Sequence, residues 1–112
     1  MEMSPQIQAY FEAKDGDANL IANYFADNIC IDDTGENDVI KGFDNCKKWL
    51  EDKSKQYQMK TKIVDIKNEE NGTIKVSVIV TGSFAPGNYP FDYYFSIVNG
   101  KIEAIKIIYM GE

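Results

Sequence analysis

The ionisable side chains in this sequence are carboxylates, phenols, amines and two thiols. Among 112 residues there are 18 acids and 12 basic residues, all of them lysine, with no histidine and no arginine. That removes an imidazole base, a Ser–His or Cys–His pair and a histidine-ligated metal. It also removes the guanidinium fork that clamps carboxylates and phosphates in two-point fashion. Proton transfer would therefore rest on a carboxyl group, and the acids gather at Asp32, Asp33, Glu36 and Asp38. Asp33 can serve as a general base only if a pocket desolvates it enough to lift its pKa beside an acidic C–H. The competing reading makes Asp32 and Asp33 solvated residues that close a strand before a Thr34-Gly35 turn. The cluster does not read as a calcium loop, because Gly35 comes too early and no glutamate follows at the twelfth position. No metal and no cofactor are expected.

Composition narrows the remaining classes. A net charge of −6 opposes nucleic-acid binding, which depends on neutralising phosphates with basic side chains. No apolar run is long enough for a membrane span, and no basic-then-apolar leader opens the chain, so a soluble cytoplasmic protein is expected. Cys30 and Cys46 read as two partly buried thiols rather than a disulfide framework. The length suits one domain over residues 1–112, which buries about 65% of its unfolded surface.

The elements that must position these groups follow from spacing. Ser4-Pro5 starts a helix, with a hydroxyl cap followed by a residue of preset φ. Ile7, Tyr10, Phe11 and Lys14 then share one stripe. Asp15-Gly16 ends that helix, and Asp17 caps a second one carrying Leu20, Ile21, Tyr24 and Phe25. A short strand over 28–33, another over Asp38–Lys41 and a third helix over 43–57 follow, the last with Phe43, Cys46, Trp49, Leu50 and Lys53 along one side. The period then changes to two. Strands are expected over 58–68, 73–84, 90–98 and 101–110, joined by turns at Asn71-Gly72 and Asn99-Gly100 and by a break at Pro86-Gly87-Asn88. Three helices before a mainly antiparallel sheet define an α+β class. Phe91, Tyr93, Phe95 and Ile97 alternate with Tyr94 and Val98, so both sheet faces carry bulky apolar groups. One face is expected to pack the helices and the other a second subunit, giving a homodimer. Tyr24, Phe43, Trp49 and Tyr94 are aromatic candidates for lining a ligand pocket, against the alternative that they simply pack the core.

The segment Gly16-Asp17, through Tyr24-Phe25-Ala26-Asp27-Asn28, to Asp32-Asp33 resembles the opening of NTF2-like domains of the SnoaL and ketosteroid-isomerase kind. The resemblance implies a cystatin-like cone, with three helices packed on a curved sheet around an apolar pocket for a small apolar molecule. It places Asp33 where those isomerases carry their catalytic base, and Tyr10 within one residue of their oxyanion-donating tyrosine. Their second oxyanion donor, an aspartic acid, falls on Tyr94 when counted from the final hairpin. Asp92 lies two residues earlier on the same strand face and joins the expected pocket. The implied activity is a cofactor-independent isomerase or lyase working through an aspartate base. The alternative is a homodimeric binding or interaction module without chemistry. Related chemistries that need an Asp–Arg–Asp set or a histidine are ruled out by composition.

Overall fold

The computed structural model of this chain describes residues 3–69, 71–82 and 85–111. Helix α1 (Pro5–Asp15) begins as its sequence requires, with the Ser4 hydroxyl accepting from Ile7 N at 3.3 Å. Its stripe buries Ile7, Tyr10, Phe11 and also Lys14. Helix α2 (Phe43–Tyr57) starts behind Gly42, whose φ of +91° suits glycine, and ends on Gln58 in the left-handed region.

The remaining elements are six strands: β1 (Phe25–Asp33), β2 (Asp38–Lys41), β3 (Lys60–Asn68), β4 (Ile74–Gly82), β5 (Ala85–Val98) and β6 (Lys101–Tyr109). They form one curved sheet in the order β2-β1-β6-β5-β4-β3. All neighbours are antiparallel except β1 and β6, which run parallel. The Asn99-Gly100 turn has positive φ at both positions, as a two-residue hairpin between right-twisted strands needs.

Two expectations are corrected. There are two α-helices among the described residues, not three: the expected second helix is a four-residue 3-10 turn, Ala18–Ile21. Asp17 does cap it, accepting from Asn19 N at 2.9 Å. But Phe25 leaves the helical path to pair with Ile102 of β6, and the Ile102 amide donates to Tyr24 O. Parallel pairing with β6 thus overrides the helical spacing of Leu20, Ile21, Tyr24 and Phe25, leaving Leu20 exposed. The second correction is at Pro86-Gly87-Asn88, which does not break the chain. β5 continues through it but bulges there, where the step from Val80 to Gly82 on β4 is opposed by the longer step from Tyr89 to Ala85, and Gly87 takes a φ of +132°. Positions 83 and 84, expected at the end of β4, lie outside the described residues.

Strand alternation then sorts the sheet into two faces. Ile29 and Ile31 of β1, Val76, Val78 and Val80 of β4, Tyr93 and Phe95 of β5, and Ile102, Ile105 and Ile107 of β6 form the inner face. They pack against Tyr10 and Phe11 of α1 and Cys46 and Leu50 of α2. Tyr10 is the aromatic hub, with ring centroids 5.2 Å from Phe11, 5.4 Å from Phe95 and 5.7 Å from Tyr93. No helix among the described residues is long and apolar enough to cross a membrane.

Candidate functional site

Between the helices and the inner sheet face the core opens into a cavity of about 410 Å³, a size that suits a small organic ligand. Val80, Met59, Leu50 and Ile107 supply aliphatic wall, and Tyr89, Phe91, Tyr93 and Tyr109 supply an aromatic one. Phe91 and Tyr109 sit 5.2 Å apart by ring centroid across β5 and β6. The polar side chains that reach the cavity are few: Asp33, Tyr10, Trp49, Lys14, Glu36 and Lys53, besides the hydroxyls of the tyrosine wall.

Asp33 ends β1 and is aimed by the turn that follows. Thr34 donates to Ile107 O through both its hydroxyl, at 2.8 Å, and its amide, at 3.1 Å. Glu36 N then donates to Asp33 O at 3.3 Å. Inner-face alternation from Ile29 through Ile31 carries the Asp33 carboxyl to the cavity, whereas Asp32 lies on the opposite side. Partial burial raises the Asp33 pKa and the nearby Glu36 carboxylate raises it further, while Lys53 opposes them. Lys53 itself is held to Glu36 at 2.7 Å.

Tyr10 is fully buried in the middle of α1. Burial, then the neighbouring Tyr93 phenol, then the Asp33 carboxylate hold its pKa well above the usual phenol value. Tyr93 is raised by burial and by Asp33 in the same way. A hydrogen-bonding contact between the two phenols raises the pKa of Tyr10 and lowers that of Tyr93, although no well-formed hydrogen bond to Tyr10 Oη is present among the described residues. The indole Nε1 of Trp49 is likewise buried without a partner among the described residues. Orphaned buried donors are rare, and each costs on the order of 1–3 kcal/mol.

Of the side chains expected in the site, Asp33, Tyr10 and Trp49 therefore share one cavity. Tyr94 and Asp92 do not join them. Tyr94 lies on the outer face, along a polar groove with Cys30, Asp32, Lys106 and Ile108. Asp92 is buried there too, accepting from Ser77 Oγ at 2.8 Å with Lys75 Nζ 3.6 Å away. The cause is a one-residue offset, which in a strand exchanges the two faces. The final hairpin also has a register shift between Ser96 and Ile97, so counting from its turn is a poor ruler. Tyr24 and Phe43 are also outside the cavity: both pack at the edge of the core, Phe43 edge-on to Phe25 at 6.5 Å. The side chain that occupies the expected second phenol position is Tyr93. The odd-numbered run Tyr89, Phe91, Tyr93, Phe95 was the available signal for it.

No protein-family model matches this chain, and no curated protein matches it by sequence. Its structure does have close likenesses. One is a protein from Sinorhizobium meliloti described as a polyketide cyclase, at TM-score 0.82 and 20% identity over 95% of each chain. Another is a protein of ketosteroid isomerase-like fold from Catenulispora acidiphila, solved with trimethylamine. It matches at TM-score 0.83 and 14% identity, over 96% of this chain and 87% of that one. A third is an NTF2-like protein of unknown function from Cytophaga hutchinsonii, at TM-score 0.72 and 9% identity over 97% and 92%. At these identities the likeness is one of fold. The chain has the NTF2-like, cystatin-like α+β fold.

Proposed function

We propose that this chain binds a small, largely apolar carbonyl compound in the cavity and shuttles a proton on it, as a cofactor-independent isomerase or lyase. The observation that carries the reading is the shared cavity: a carboxyl of raised pKa and a buried phenol line one apolar space. Asp33 takes the proton from the carbon alpha to the carbonyl. The electron pair of that C–H bond forms the enolate C=C bond, and the carbonyl π pair moves to the oxygen, which accepts from Tyr10 Oη as enolate charge develops. Tyr93 backs Tyr10 as the second phenol. Asp33 then returns the proton to another carbon, so atoms and charge balance without a cofactor. A donor already positioned in a dry site stabilises such an enolate by about 3–4 kcal/mol.

The test is exchange of alpha protons for deuterium, followed by NMR on a panel of small aryl and alkenyl ketones in heavy water. Asp33→Asn is expected to lower the exchange rate by about 10²-fold or more, with an unchanged circular dichroism spectrum. Equal rates in the two proteins would sink the proton-transfer reading.

One observation favours a second reading, a binding module without chemistry. Tyr94, expected as the third catalytic side chain, points away from the cavity, so the donor set is not the one the resemblance implies. In either reading we propose that two copies pair through the outer sheet face, where Tyr94, Ile79 and Ile108 are half-buried rather than covered. Light scattering should then return twice the 12.7 kDa chain mass, and a monomer at high micromolar concentration would contradict it.

A further inference from the structure

Among the polar side chains of the cavity that the proton-transfer reading leaves unused, Lys14 and Trp49 stand out. Lys14 is only 3% exposed, yet it lines a mostly apolar space. A lysine so buried is rare unless its charge is compensated. Its ammonium donates to Thr61 Oγ1 at 2.7 Å and to Asp15 Oδ1 at 3.3 Å. Asp15, however, is shared: Thr61 donates to its Oδ1 through the hydroxyl at 2.9 Å and to its Oδ2 through the amide at 2.7 Å. The carboxylate that balances Lys14 is therefore held as much by β3 as by the lysine. An ammonium carries three donors, so one N–H of Lys14 has no partner among the described residues.

The second of these groups is Trp49 Nε1, the buried orphan on α2. The helices meet near both residues: Ser54 Oγ donates to Gly16 O at 3.0 Å, which ties the later turns of α2 to the end of α1. Lys14 and Trp49 thus both line the cavity. Among the described residues nothing accepts from the third N–H of Lys14 or from Trp49 Nε1. A bound molecule that satisfied both would need an acceptor group with several lone pairs and negative charge, and a carboxylate has these where a ketone or ester oxygen has less.

We infer that the ligand is an apolar oxo acid, whose carboxylate is held by Lys14 Nζ and Trp49 Nε1 while its carbonyl faces Tyr10 and Asp33. This rests on the reading that the cavity is a ligand site, and it adds a specificity determinant, Lys14, to that site. Lys14 acts here as a binding group and takes no part in the proton transfer.

Trp49 is the sole tryptophan of the chain, so its fluorescence reports occupancy of the cavity directly. The probes are 4-oxo-4-phenylbutanoate and its methyl ester, which share the aryl ketone and differ in the charged end. The acid is expected to bind about tenfold tighter than the ester or better, as a charge-assisted hydrogen bond should make it. Lys14→Met keeps the aliphatic stem and leaves Asp15 its two bonds from Thr61; it should erase the preference and leave the Kd of the ester in place. Lys14→Gln, which keeps a donor without the charge, is expected to do the same and serves if the first variant does not fold. Equal binding of acid and ester by the unaltered chain would overturn the inference, leaving Lys14 a purely structural tie between α1 and β3. So would a preference for the acid that survives both substitutions. The proton-transfer reading stands through either result, since it fails on the deuterium-exchange rates of Asp33→Asn. Failure of both probes to perturb Trp49 would overturn the carboxylate assignment together with the ligand site on which it rests.

Discussion

Strand β5 presents two chemically different faces from one run of residues. Phe91, Tyr93 and Phe95 look inward to the cavity and core; Asp92, Tyr94 and Ser96 look outward. Each side buries polar groups. On the outer side the buried carboxylate of Asp92 has a hydroxyl from Ser77 and an ammonium from Lys75. On the inner side Tyr10 Oη and Trp49 Nε1 are buried with no partner among the described residues. The first arrangement closes its own accounts and needs nothing further. The second is surrounded by extensive apolar packing and leaves its donors without acceptors among the described residues. Burial of a polar group, then, does not by itself point to a ligand; burial without satisfaction is what supports the ligand-site proposal.

Substitutions that treat the two faces alike should produce unlike results. The largest difference is expected between adjacent aromatics. Phe95→Ala removes a fully buried ring and should cost about 3–5 kcal/mol by denaturant unfolding. Tyr94→Ala should stay within about 1 kcal/mol in chain stability while weakening self-association. A comparable loss at both positions would mean that the outer face is as closely packed as the core.

A smaller contrast concerns hydroxyls. Ser77→Ala takes a donor from a buried carboxylate and should destabilise by about 1–3 kcal/mol. Tyr10→Phe removes a hydroxyl without a well-formed hydrogen bond among the described residues and should be neutral or slightly stabilising, while ligand affinity falls. If Tyr10→Phe unfolded the chain as readily as Ser77→Ala, the phenol would have a structural partner after all.

The smallest effect is in pH dependence, and its sign is opposite to that of a paired carboxylate. Burial holds the folded-state pKa of Asp33 above its unfolded value, so the folded chain binds that proton more tightly. Its ionisation therefore costs stability, and the cost grows as pH rises from the unfolded value near 4 through the raised folded value. Asp33→Asn lacks this term, so its melting temperature should gain on the parent between about pH 3 and about pH 7. A difference that stays flat across that range would show Asp33 to be solvated.

Much of the architecture was legible in the residues because it is local. Ser4-Pro5 and the apolar stripe of α1, the 15 residues of α2, and the Asn99-Gly100 turn each state their geometry within a few positions. The span 18–25 was misleading for the same reason. Its spacing satisfies a helix, but the partner that wins Phe25, Ile102 of β6, is far along the chain. Of the residues expected in the site, Asp33, Tyr10 and Trp49 line one cavity, whereas Tyr94 lies on the outer face and its neighbour Tyr93 lines the cavity instead. The helical stripe places Lys14 toward the core, but spacing alone does not show that it reaches the cavity.

What the sequence determined by itself is the chemical repertoire: no imidazole, no guanidinium, carboxyl groups as the available bases and aromatic residues in abundance. Those are properties of composition and need no neighbours. Only the tertiary structure decided which carboxyl group is desolvated, which phenol faces it and which donors are left unmet. Those depend on strand register and on contacts between distant segments. A shift of one residue in a strand moves every side chain to the other face, and no count along the chain detects it.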